Sequence, residues 1–82
     1  MNKFNQYDFV KIVRINKQFS KEECTLGKRI PKVGDKASII EVYEKPCLGY
    51  ELESTNEQGE TNWLVTINSE DLEMELIAPS RI

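Results

Sequence analysis

The chain has no histidine, two cysteines and one tryptophan in 82 residues. Histidine is the side chain that most often moves protons near neutral pH. Without it, a serine or cysteine nucleophile must borrow a carboxylate or a lysine as its base. Zinc asks for about four nitrogen or sulfur ligands. Cys24 and Cys47 offer two, far apart and outside any Cys-x-x-Cys spacing, so no metal site is expected. No glycine-rich phosphate loop occurs either, and with it goes the expectation of a cofactor. No apolar run approaches the ~18 residues of a membrane helix. Met1-Asn2-Lys3-Phe4-Asn5-Gln6 lacks the apolar stretch of a secretory leader. These absences lead to the expectation of a cytoplasmic protein, away from membranes, with no catalytic residues and with reduced thiols; a Cys24–Cys47 bond is the open alternative.

What is present is β-strand material. Residues 33–54 carry the plainest pattern. A Gly34-Asp35 turn opens a run of β-branched and aromatic residues through Tyr43, Pro46 interrupts it, and Gly49 opens a second run. There Tyr50, Leu52 and Ser54 alternate with Glu51 and Glu53. Before it, Tyr7–Asn16 is a strand with apolar residues of both parities, Phe9, Val13 and Ile15 against Val10 and Ile12. The polar stretch 17–32 reads as a long loop. In it Ser20 and Glu23 fit a capping box around one helical turn, and Phe19, Leu26 and Ile30 are candidate anchors. After a turn at Gly59, residues 61–67 form a fourth strand that places Trp63, Val65 and Ile67 on one face. A 3₁₀ turn over 68–72, a last strand over 73–77 and a tail over 78–82 complete the chain. The expectation is one all-β domain over 1–82, a closed five-stranded barrel with a long first loop and a 3₁₀ turn before its last strand.

The charge is uneven. Residues 1–40 hold nine basic side chains against four acidic, and residues 41–82 hold two against ten. That is +5 followed by −8, which predicts two faces of opposite sign or internal pairing between the halves.

The block Gly34-Asp35-x-Ala37-Ser38-Ile39-Ile40-Glu41-Val42-Tyr43 followed by Gly49-Tyr50-Glu51-Leu52-Glu53 carries a family likeness. With Tyr7-Asp8-Phe9-Val10, Gly59-x-Thr61 and Asp71-Leu72 in the flanking places, the chain resembles short bacterial domains of unknown function built on an SH3-like, KOW-related barrel. Ala37 replaces the second glycine of that pattern, and Ser54 a phenylalanine. Relatives of this kind often stand beside toxin genes, so the resemblance implies an immunity protein or antitoxin. It carries no catalytic residues across.

Three functional classes follow. An enzyme would need the carboxylates Glu51 and Glu53, two apart on one strand; an ordinary solvated strand face explains them as well, and the chain is read as non-catalytic. A KOW-like RNA- or ribosome-associated domain would use Lys17, Lys21, Lys28, Arg29, Lys32 and Lys36 beside Phe19, but the pI of about 5.0 is far from a nucleic-acid footprint. The favoured class is a binding module whose acids, Glu41, Glu51, Glu53, Glu60, Glu73 and Glu75, steer it to a basic protein such as a nuclease toxin and occlude its active surface. Tyr43 and Tyr50 are candidate anchors, with half-buried filler as the other reading of Tyr43. Lys28 and Arg29 in the long loop offer a second contact. The oligomeric state is left open.

Overall fold

The computed structural model describes residues 3–24 and 26–80. Arg81 and Ile82 of the expected tail, and Met1 and Asn2, lie outside the described residues. The chain is all-β: β1 (Phe9–Ile15), β2 (Leu26–Gly27), β3 (Lys36–Tyr43), β4 (Gly49–Thr55), β5 (Thr61–Asn68) and β6 (Leu72–Ala78), with one 3₁₀ turn at Lys21–Glu23. All six strands join one antiparallel sheet in the order β2-β5-β4-β3-β1-β6.

Period-two alternation builds the core. Val10 and Ile12, Ala37 and Ile39, Tyr50 and Leu52, and Trp63, Val65 and Ile67 all turn to one face and are buried, joined by Phe19 and Leu72. Trp63 is wholly enclosed. On β1 the inner pair is fully buried, whereas Val13 is the extra residue where the β1–β6 register shifts and it faces water. The mixed parity of that strand thus comes from a bulge.

Two expectations are corrected. The sheet has six strands and is open, because its terminal strands β2 and β6 do not pair with each other. The added strand arises inside the long loop. Gly27 adopts φ 114° and lies so close to β5 that a Cβ would sit 2.2 Å from the Asn62 carbonyl oxygen; only glycine fits there. The Lys28 amide then donates to the same carbonyl at 2.8 Å. Among the loop anchors, Phe19 is buried, Leu26 is exposed because its docking on β5 uses backbone, and Ile30, beyond β2, is exposed as well. The second correction concerns residues 68–72, which form a single hydrogen-bonded turn rather than a 3₁₀ turn. The Asp71 amide donates to the Asn68 carbonyl at 2.9 Å, and the Asn68 amide donates back to the Asp71 carboxylate at 2.9 Å. Leu72 then enters β6 at once, buried opposite Ile15.

The helical turn in the loop stands where the capping pattern put it. The Ser20 amide donates to the Glu23 carboxylate at 3.4 Å, and Lys17 pairs with that carboxylate at 2.7 Å. Cys24 and Cys47 are both free thiols. On the open side of the sheet, Phe4 packs edge-on to Tyr50, and its amide donates to the Tyr50 hydroxyl at 3.1 Å.

Two buried aspartates fasten the loops. Asp8 accepts from the amides of Asn5 at 2.8 Å and Ser80 at 2.7 Å. Asp35 accepts from Arg29 twice, at 2.7 and 3.0 Å, from the Lys32 amide at 3.0 Å and from the Trp63 indole N–H at 2.8 Å. Burial works to raise the Asp35 pKa, but these donors outweigh it and hold the carboxyl below its ordinary value.

Candidate functional site

The outer face of β3, β4 and β5 gathers part of the predicted acidic surface. Its assembly depends on one irregularity in β3. Ser38 stands opposite Glu53 and Ile39 opposite Leu52, after which the register slips by one so that Glu41, and not Ile40, stands opposite Glu51. Regular alternation would have turned Ile40 and Val42 outward. The bulge instead sends Glu41 and Tyr43 to the outer face and returns Val42 to the core.

Glu41 and Glu51 are therefore direct cross-strand neighbours, with Glu53 two residues further along β4. Thr66 stands opposite Glu51 and Leu64 opposite Glu53 on the β5 side. Glu53 accepts a hydrogen bond from the Thr61 hydroxyl at 2.8 Å. Among the described residues, no Lys or Arg comes within 4.0 Å of these three carboxylates. Like charges directly opposite cost about 0.2–1 kcal/mol on a strand pair, so the fold carries an uncompensated repulsion here.

Tyr43 borders this group. It is 41% exposed and stands opposite Gly49, where a Cβ would meet the Ile67 carbonyl oxygen of β5 at 2.6 Å. Together with Lys45, Pro46, Cys47, Thr66, Ile67 and Asn68 they form a shallow cleft of about 250 Å³. The Lys45–Pro46 peptide is cis, and the Cys47 thiol donates to the Asn68 side-chain oxygen at 3.5 Å. An aromatic wall beside a carboxylate pair suits a Lys or Arg side chain, which gains cation–π attraction along with the ion pair.

The other predicted contact residues lie elsewhere. Tyr50 is buried, and its hydroxyl accepts from the Phe4 amide, so it serves the core and takes no part in the acidic outer face. Glu60 closes the turn before β5, accepts from Asn56 at 2.9 Å and lies 3.9 Å from Lys28. Glu73 and Glu75 sit on β6, separated from β4 by β1 and β3, with Arg14 at 3.7 Å from Glu73 and Lys11 opposite Glu75. Arg29 is engaged by Asp35, which raises the already high guanidinium pKa. The basic first half is thus spent largely on internal pairs, among them Lys3 with Glu44. Among the described residues, no group of three or more metal-ligating side chains is close enough to hold an ion.

No protein family, no curated protein and no solved structure matches the chain.

Proposed function

We propose that the chain is a non-catalytic protein-binding module that engages a basic surface of a partner protein through the outer face of β3–β5. The observation that carries this reading is the Glu41–Glu51 pair, turned outward by a bulge, without an ion-pair partner among the described residues and flanked by an exposed tyrosine. A partner's Lys or Arg relieves that repulsion on binding, and the same charge speeds encounter. Following the family resemblance, we take the partner to be a cognate bacterial toxin, with a nuclease as the class whose phosphate-binding surface an acidic face matches, and the mechanism to be stoichiometric occlusion. We also read the fold as an SH3-like barrel opened on one side. With the two-residue β2 set aside, the order β5-β4-β3-β1-β6 supports this: a three-strand meander with the first strand between it and the last. The RNA reading has less support, because Lys28 faces Glu60 and Arg29 holds Asp35.

The test uses the product of the gene flanking this one, with association and dissociation followed by surface plasmon resonance over a range of salt. Added salt should slow association steeply and change dissociation less. The Glu41→Lys, Glu51→Lys, Glu53→Lys triple variant should bind at least about tenfold more weakly. Unchanged affinity in that variant would remove the acidic face from the account.

A further inference from the structure

The sheet ends at β6 with a neighbour missing. One side of β6 ladders to β1; along the other, no strand lies among the described residues. Leu72, Met74 and Leu76 stand opposite Ile15, Ile12 and Val10, which places all three on the core face. Their cover runs out along the strand: Leu72 is buried, Met74 is half-buried and Leu76 is 49% exposed. A core-facing leucine half in water marks a sheet lacking its next strand.

Two clefts follow this edge. One, of about 270 Å³, is lined by Phe4, Tyr50, Leu72 and Met74 among others; the second, of about 430 Å³, by Lys3, Phe4, Asp8, Met74, Glu75 and Leu76 among others. They meet at Phe4 and Met74 and advance along β6 by two residues, roughly 7 Å, which is the repeat of side chains on one face of a strand. On the outer face of the same strand, Glu73 and Glu75 alternate with the core-facing residues, and their cations Arg14 and Lys11 lie on the β1 side, away from the open edge. Lys3 also lines the second cleft, but its ammonium is held by Glu44, which leaves Glu73 and Glu75 to an incoming chain.

We propose that the free edge of β6 receives an added strand from a partner protein: an extended segment with apolar side chains at alternate positions and Lys or Arg between them. Backbone hydrogen bonds hold the segment, successive apolar side chains fill the two clefts, and the basic residues face Glu73 and Glu75. A second copy of this chain fits poorly. In antiparallel self-pairing that keeps core faces together, centring on Glu73, Met74 or Glu75 sets Glu73 or Glu75 against an acid of the other copy, and centring on Leu76 uses only part of the strand. The edge is a different surface from the Glu41–Glu51 face, and the proposal stands without that reading.

The probe is a synthetic peptide of about seven residues, a usual strand length, alternating Lys and Val, titrated into the ¹⁵N-labelled full chain. Alternate amides of 72–78 should shift and exchange more slowly, with those of Glu41–Tyr43 unmoved. N-methylating one alternate set of peptide amides should abolish binding, while methylating the other set leaves it intact, because only one set faces β6. Glu73→Lys with Glu75→Lys, both exposed positions, should weaken binding about tenfold. Equal tolerance of both methylation patterns would overturn the proposal. So would shifts confined to the Glu41–Glu53 face, concentration-dependent dimers forming through 72–78 without peptide, or no shift at about 1 mM peptide.

Discussion

Asp35 is the position at which one atom-level change should cost the most. Its carboxylate receives four hydrogen bonds, from the Arg29 guanidinium (two), the Lys32 amide and the Trp63 indole. Asp35→Ala leaves the indole N–H without an acceptor inside a wholly enclosed site, a penalty of about 1–3 kcal/mol. It also strands the Arg29 charge, but that side chain is about one-third exposed, and water recovers much of the loss. Together we expect a loss of about 3 kcal/mol, below the ~3–5 of a fully buried broken pair. A domain of this size has only about 4–12 kcal/mol of stability. Trp63, the chain's only tryptophan, reports the change by fluorescence in urea titrations. With a slope near the small-protein minimum of ~1 kcal/mol per molar urea, the midpoint should fall by about 2–3 M. Arg29→Ala should cost less, because the Lys32 and Trp63 donors still hold the carboxylate. The pH dependence has a definite sign. The folded pKa lies below the ordinary 3.8, so this stabilisation is complete above that value and disappears as pH falls through the folded value. The acid limb of the stability curve should therefore flatten in Asp35→Asn. A shift of less than about 0.5 kcal/mol in Asp35→Ala, the range of ordinary surface changes, would refute the keystone role.

Three more outcomes follow from the same geometry. Gly27→Ala should undock β2, because its Cβ would meet the Asn62 carbonyl oxygen at 2.2 Å; loss of hydrogen-exchange protection at the Lys28 amide reads this directly. Glu51→Lys should stabilise the isolated chain by about 0.2–1 kcal/mol by ending its opposition to Glu41, as seen in urea melts, while weakening capture of a basic partner. Deleting Ile40 removes the extra residue of the β3 bulge, so the ladder should run straight from Ile39 opposite Leu52 to Glu41 opposite Glu51, with Glu41 and Tyr43 still on the outer face. Tyr43 that stays open to chemical modification in a folded variant checks it, and a protected Tyr43 would refute it.

Where side chains alternated cleanly, the sequence announced its structure: β4 and β5 lie where Tyr50-Leu52-Ser54 and Trp63-Val65-Ile67 put them. The bulge in β3 left a trace as well, since Ala37 and Ile39 share one parity while Val42 has the other, but its effect on Glu41 and Tyr43 required the ladder. Other features had no local signal. Gly34-Asp35 looked like a turn opener, and nothing near it in the chain points to Trp63, 28 positions away. The partners that set Glu73 and Glu75 apart from Glu51 are set by strand order, because β1 intervenes after more than half the chain has passed. Tyr50 reads as a plausible surface anchor by type, yet its hydroxyl is satisfied from inside by the Phe4 amide.

The pairing of β1 with β6 joins segments drawn from opposite halves of the polypeptide. Bringing such remote stretches together costs loop entropy before any reward arrives, which favours slow, concerted assembly. During synthesis, Val10 and Ile12 are made long before residues 72–78 exist to flank them, leaving β1 a sticky rim on the nascent chain. Shortening the polypeptide ahead of Leu72 would make that transient state permanent, so expression trials of truncated versions should yield aggregates instead of a smaller working unit.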